Sequence, residues 1–205
     1  MSDRESLGRA MSRAITEQVH REIKREMGIS ELPQGTLTVL FTDVVGSTDL
    51  VRDLGDARAR GILRRADDVV RTTIRAHDGT EVERRGDSFM VVFTTARRAV
   101  ECALAVHAAL ADARMEHPVR VRIGMDTGEV IPEDEGYFGV TVFRASRIAD
   151  LAGPGEVLAS EVTKLLAERF GFEFQDLGDH TLKGLGPGHR LFRLTAPEPA
   201  GGPTA

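Results

Sequence analysis

The chain has 205 residues, 41% of them hydrophobic and 29% charged, with a formal net charge of −5, a balance that fits one globular domain with short extensions and excludes a disordered chain. The mild negative charge gives no electrostatic case for nucleic acid or an acidic membrane surface. No stretch approaches the roughly 20 apolar residues of a membrane-spanning helix, and the N-terminus has no apolar core of signal-peptide type.

Residues 3–27 are predicted to form an amphipathic helix. Leu7, Met11, Ile15, Val19, Ile23 and Met27 recur every four residues, a stripe that drifts about 40° per step and is not a strict heptad. Such a helix needs a partner surface, in its own domain or on another subunit. Gly28, Pro33 and Gly35 mark a linker, so residues 1–35 are read as helix and linker and 36–195 as the domain proper. Leu37–Asp43 is the first strand. Ser47–Leu54 and Ala57–Ala76 are helical, with Asp56 as N-cap of the second. Thr80–Arg84 and Ser88–Phe93 flank Arg85-Gly86-Asp87 as a hairpin.

Ala96–Ala113 is helical and carries the only cysteine, Cys102, which rules out an intrachain disulfide and reads as a small core residue in a reducing cytoplasm. Val119–Met125 alternates as a strand, and Gly128–Ile131 continues it after a turn. Val140–Leu151 is a helix ending at Gly153-Pro154-Gly155. Val157–Ala159 is a short strand and Glu161–Arg169 a short helix. Phe172–Leu177, His180–Lys183 and Arg190–Leu194 are small closing strands, and residues 196–205 read as a disordered tail. Strands and helices mix without a regular βαβ alternation, which points to an α+β fold.

Two carboxylates stand out. Asp43 ends an apolar strand, where a buried charge is costly unless paired or bound to a metal. Gly46-Ser47-Thr48 follows and opens a helix, whose free N–H groups suit a phosphate; Ser47 as a plain N-cap is equally consistent. Asp87 sits in a turn beside an apolar strand, where pairing with Arg84 or Arg85 is the bland alternative. Taken together, two carboxylates at strand ends and a phosphate cradle suit Mg2+ or Mn2+, which use few carboxylates plus substrate phosphates. The sequence has no P-loop, no Rossmann spacing, no zinc-ligand spacing of histidines and no nucleophile elbow.

Four motifs in order, FTDVVGST, RRGDSFMVVF, VRIGMDTGEV and GYFGVTVFRASRIAD, closed by DLGDHTLKGL, resemble the catalytic domain of class III nucleotidyl cyclases, the adenylate and guanylate cyclases. The resemblance runs from about Thr36 to Leu194 and implies a ferredoxin-like α+β domain. It further implies a homodimer whose active sites lie between subunits, metals from one and base readers from the other. It makes Asp43 and Asp87 the ligands of two divalent ions and sets Gly46, Ser47 and Thr48 against the phosphates of a nucleoside triphosphate. Arg147 then matches the arginine that stabilises charge on the α-phosphate, and Lys183 a lysine near the terminal phosphates. The implied reaction is attack of the ribose 3′-hydroxyl on the α-phosphorus, giving a 3′,5′-cyclic nucleotide and pyrophosphate.

The chain departs from that pattern at three positions. Adenylate cyclases of the family usually carry a lysine four residues before the second metal aspartate, where Glu83 stands, and an aspartate three residues before the glycine of the next motif, where Gly136 stands. A carboxylate can accept from guanine N1–H and the 2-amino group, so these two lean toward GTP over ATP. The family's ribose-contacting asparagine is replaced by Phe143, which has no hydrogen bond to offer. That change is read first as a slower enzyme, with a pocket reshaped for cyclic UMP or cyclic CMP formation in bacterial antiphage signalling, or a silent nucleotide-binding regulatory dimer, as alternatives. A purely structural α+β dimer is the remaining alternative.

Overall fold

The computed structural model describes residues 33–133 and 136–195, with Arg85 described by its backbone alone. The helix expected over 3–27 and the tail 196–205 lie outside the described residues. In chain order the elements are β1 (Gly35–Val44), α1 (Ser47–Leu54), α2 (Asp56–Ala76), β2 (Thr80–Arg85), β3 (Ser88–Phe93), α3 (Ala96–Asp112), β4 (Val121–Glu133), β5 (Gly136–Phe138), α4 (Val140–Leu151), β6 (Val157–Ser160), α5 (Glu161–Ala167), a 3-10 turn at Glu168–Phe170, β7 (Glu173–Leu182) and β8 (Gly186–Thr195). The sheet order is β2-β3-β1-β4-β6-β8-β7, with β5 paired to the end of β4. Only the β4–β6 pairing is parallel; the others are antiparallel.

Helical spacing explains one covered face. Ala59, Ile62, Ala66, Val70 and Ile74 bury one stripe of α2, and Ala99, Val100, Ala103, Val106 and Leu110 one stripe of α3. Both pack on Leu40, Phe89, Val91, Phe93, Ile123 and Met125 from the sheet. Thr95 caps α3 by accepting from the Arg98 amide. The opposite face is covered by α4, where Ile148 joins Leu158, Leu182 and Leu191 in a smaller core. Side chains alternate along β4, so Gly124, Asp126 and Gly128 face α4 while Ile123 and Met125 face the first core. A hydroxyl chain runs buried on the first side: Thr38 to Thr127 and Thr127 to Thr163, each at 2.9 Å, tying β1, β4 and α5 together.

Several expected boundaries move. Thr127-Gly128 is not a turn: ten consecutive pairs, Gly35↔Val130 through Val44↔Val121, keep β4 whole. The glycine is there for clearance, since a Cβ at Gly128 would lie 2.6 Å from Thr141 Oγ1 and one at Gly124 only 2.0 Å from the Ala149 nitrogen. The first two closing strands are one strand, β7, which passes Gly178 with a register shift. Asp56 begins α2 instead of capping it; the cap position is Gly55 at φ 76°. The three-residue β5 was missed, being too short to show a period.

Two glycine substitutions separate packing from backbone entropy. Gly124→Ala is expected to destabilise the fold by about 3 kcal/mol, the upper end of ordinary overpacking. Gly61→Ala, in α2 where the added methyl meets nothing within 4 Å, is expected to stabilise it by about 0.5–1 kcal/mol. Urea unfolding midpoints read both; an unshifted midpoint for Gly124→Ala would contradict the close seating of α4.

Candidate active site

Asp43 ends the buried run of β1, directly across from Arg122 of β4. Arg122 donates from Nε at 2.9 Å and from Nη2 at 2.6 Å to Asp43 Oδ2, and its Nη1 donates to the Asp150 carbonyl at the end of α4. The other carboxylate oxygen accepts from Ser88 Oγ at 2.6 Å. The charge in the apolar run is therefore paired within the chain, by a guanidinium that the sequence reading passed over. Arg122 lies in the VRIGMDTGEV motif, but its partnership with Asp43 depends on antiparallel register, which no local spacing reveals.

Asp87 sits with Gly86 (φ 63°) in the tight turn between β2 and β3. Among the described residues no side-chain hydrogen bond or ion pair reaches its carboxylate. It lines a cleft of about 800 Å³ together with Ser47, Thr48, Arg60 and Arg64. Deeper in that cleft Arg84 pairs with Asp67, and Arg71 grips Glu81 through two bonds of 2.7 Å. Burial pushes the Asp67 carboxyl up, whereas the Arg71 bond holds Glu81 below the usual carboxylate range. The cap of α1 is Gly46, left-handed at φ 75° and without a side-chain capping bond. Ser47 is thus the first helical residue and not the cap, and the first-turn amides have no side chain of their own to satisfy them.

The remaining expected residues gather on the α4 side. Glu83, Gly136, Phe143 and Arg147 line a second cavity of about 590 Å³, with Ser88 and Phe138. Arg147 donates to Asp150 Oδ2 at 3.1 Å and to the Lys183 carbonyl at 3.2 Å, which brings Lys183, in the β7–β8 turn, beside it. Gly136 has φ 142°, a conformation that side chains rarely adopt, and a Cβ there would lie 3.4 Å from Val82 Cγ1. Phe143 is 45% exposed and meets Phe138 edge to face, ring centroids 5.5 Å apart.

Sequence reasoning also missed a buried ion pair under this cavity. Asp126 is fully buried, and Arg144 Nη1 donates to its Oδ2 at 3.0 Å. Among the described residues Asp126 Oδ1 and Arg144 Nε have no partner within hydrogen-bond geometry. Burial pushes the Asp126 carboxyl above its usual range, against the pull of Ser160 and Arg144. Cys102 is buried and its thiol is pushed up to about 12 by burial, which leaves it a core residue without thiolate chemistry. Among the described residues no three His, Cys, Asp or Glu side chains form a metal-binding group, and no helix is long and apolar enough to cross a membrane.

The family model described as adenylate and guanylate cyclase catalytic domain matches residues 29–194. An uncharacterized protein of Mycobacterium tuberculosis is 37% identical over 179 residues, covering 84% of this chain and 60% of the relative, so the chain spans well under two thirds of that relative's length. Among solved structures, the adenylyl cyclase CyaB of Pseudomonas aeruginosa aligns at TM-score 0.69 with 23% identity, over 84% of this chain and 100% of that one. The guanylate cyclase domain of RhGC from Catenaria anguillulae, in complex with GTP, aligns at TM-score 0.69 with 22% identity, over 80% and 97%. These alignments show the fold.

The Asp126–Arg144 pair makes stability depend on pH. The folded state holds the Asp126 proton more tightly than the unfolded chain does, so its contribution falls as pH rises from the usual carboxylate range through the raised value. Asp126→Asn is expected to remove that part of the slope in melting temperature against pH. Arg144→Met leaves a buried, unpaired carboxylate and is expected to cost about 3–5 kcal/mol at neutral pH, shrinking as the pH is lowered. Parallel slopes for wild type and Asp126→Asn would show that the group does not titrate in this window.

Proposed function

This chain belongs to the adenylate and guanylate cyclase catalytic domain family, and we propose that it converts a nucleoside triphosphate to a 3′,5′-cyclic nucleotide and pyrophosphate. The observation that carries the reading is the sorting of the expected residues into two adjoining clefts: Asp87, Ser47 and Thr48 line one, and Glu83, Phe143 and Arg147 the other. The step between them is a single peptide, since Asp87 lines the first cleft and Ser88, bonded to Asp43, lines the second.

Asp43 and Asp87 fit a pair of Mg2+ or Mn2+ ions by donor type, hard carboxylate oxygens at neighbouring strand ends. Asp43 Oδ1 keeps a lone pair beyond its bond to Ser88, and Asp87 has no competing partner among the described residues. Such ions supply Lewis acidity toward the 3′-hydroxyl and the triphosphate. Arg122 fixes the orientation of Asp43. The amides and hydroxyls at Gly46, Ser47 and Thr48 bind phosphate oxygens, and Lys183 binds the terminal ones. Arg147, a planar fork of donors, stabilises charge gathering at the α-phosphorus. Glu83 accepts from guanine, and the φ of Gly136 disfavours the aspartate that ATP-specific relatives carry, so the base lean is to GTP.

Each active site forms between two copies, one giving the metal side and the other the base side. The exposed apolar residues Ile131, Phe138 and Val140 on the β4–β5 arm and the start of α4 support such pairing. The bulk composition supports a cytoplasmic location. One observation favours a second reading: Phe143 has no hydrogen bond to offer a ribose, which suits a silent nucleotide-binding dimer.

The purified protein with Mn2+ and each of ATP, GTP, UTP and CTP in turn, followed by mass spectrometry, is expected to give a cyclic product, foremost from GTP. Asp87→Ala is expected to abolish metal-dependent turnover and Arg147→Ala to lower kcat by about 10²–10³-fold, with unchanged melting temperatures. Turnover surviving in Asp87→Ala would sink the two-metal mechanism. Binding without any cyclic product would favour the silent dimer.

A further inference from the structure

Phe143 lies in the first turn of α4, and Arg147 follows one turn later on the same helix face. Both line the cavity that Glu83 closes from β2. The Phe143 ring is 45% exposed and its edge-to-face partner Phe138 is 49% exposed. Rings of this size are ordinarily covered. Here two stand half bare at the wall of a cavity that also holds a guanidinium and a carboxylate. Their edge-to-face contact is one of the arrangements that aromatic pairs prefer, so Phe138 supports the Phe143 ring from one side. An aromatic face, a cation one helical turn away and an acceptor opposite match a ligand with a flat heterocycle, a phosphate and ring N–H donors.

We propose that Phe143, braced by Phe138, is the stacking face for the nucleobase of the substrate and selects purine over pyrimidine nucleoside triphosphates. The identity of the triphosphate rests on the cyclase reading above; the stacking itself does not depend on turnover. Base–aromatic stacking tolerates any base because each has a π-face, and a bicyclic purine covers more of the ring than a pyrimidine. Phe143 then separates purine from pyrimidine, and Glu83 separates guanine from adenine. The loss of a polar group toward the ribose is compensated by apolar contact with the base.

The test uses the full chain and 2-aminopurine riboside 5′-(α,β-methylene)triphosphate, which binds without releasing pyrophosphate and whose fluorescence is quenched on stacking. Saturable quenching is expected. Phe143→Leu should abolish the quenching and weaken binding about tenfold or more, Phe143→Tyr should keep both, and binding of tripolyphosphate alone, read by calorimetry, should be alike in all three. The α,β-methylene analogue of GTP should compete at least about fivefold better than that of CTP. No quenching in the wild type, or quenching and affinity unchanged in Phe143→Leu, overturns the proposal. So does a Phe143→Leu protein that loses self-association in sedimentation while its quenching persists, because the ring would then belong to a contact between copies. Phe143-dependent quenching in a protein that yields no cyclic product would uphold the stacking and refute the cyclase reading. Cyclic product with Phe143-independent binding would do the reverse.

Discussion

The close seating of α4 on β4 is the constraint from which the rest of the site follows. Gly124 and Gly128 remove the side chains that would collide with Ala149 and Thr141, and this brings helix and strand into backbone contact. All the even-numbered residues of β4 from Arg122 to Gly128 face α4. Arg122 lies at one end of that row, bonded both to Asp43 and to the last-turn carbonyl of Asp150. A cation at a helix C-terminus is favoured by the helix dipole, so the same guanidinium that orients Asp43 also anchors the helix carrying Phe143 and Arg147. A shift of α4 along β4 would therefore disturb both clefts at once.

The Asp126–Arg144 pair adds direction to that seat. A buried ion pair is weak support for stability, because desolvation offsets most of the attraction, and here two of its polar atoms have no hydrogen-bond partner among the described residues. Apolar contacts at Ala145, Ile148 and Ala149 would tolerate small rotations of the helix. The ion pair is satisfied over a narrow range of rotation, and Arg144 is flanked by Phe143 and, one turn on, by Arg147. Specifying the rotation of α4 thus aims the Phe143 ring and the Arg147 guanidinium together.

Much of this fold is written in local patterns. The apolar run of β1, the turn at Gly86-Asp87 and the helical stripes of α2 and α3 are all readable from spacing alone, and the ordered motifs supplied six residues that line the two clefts, Ser47, Thr48, Asp87, Glu83, Phe143 and Arg147, but not the arginines Arg60 and Arg64 beside them. What could not be read arises from long-range geometry. Gly128 looks like a turn residue because glycine serves turns and close packing alike, and only the neighbouring helix decides which. Gly46 and Ser47 compete for the cap of α1, and the left-handed backbone at Gly46 settles it. Arg122 and Asp43 are 79 positions apart, Asp126 and Arg144 are 18 apart, and neither partnership leaves a trace in any local window.

The two clefts lie on opposite faces of the sheet, and this bears on assembly. Alternation along β2 sends Arg84 toward α1 and α2 but Glu83 toward α4; of the residues that follow, Asp87 in the turn lines the first cleft and Ser88 of β3 the second. A triphosphate held at Ser47 and Thr48 of one chain would have to pass the sheet edge to bring its base to Glu83 of the same chain. In a two-fold pairing residue i meets j and j meets i, so a contact between one copy's first cleft and the other's second would occur twice. The exposed apolar arm at Ile131 and Phe138 is where two such copies have apolar surface to cover. The division of the expected residues between two faces is therefore easier to reconcile with catalysis shared by two chains than with catalysis inside one.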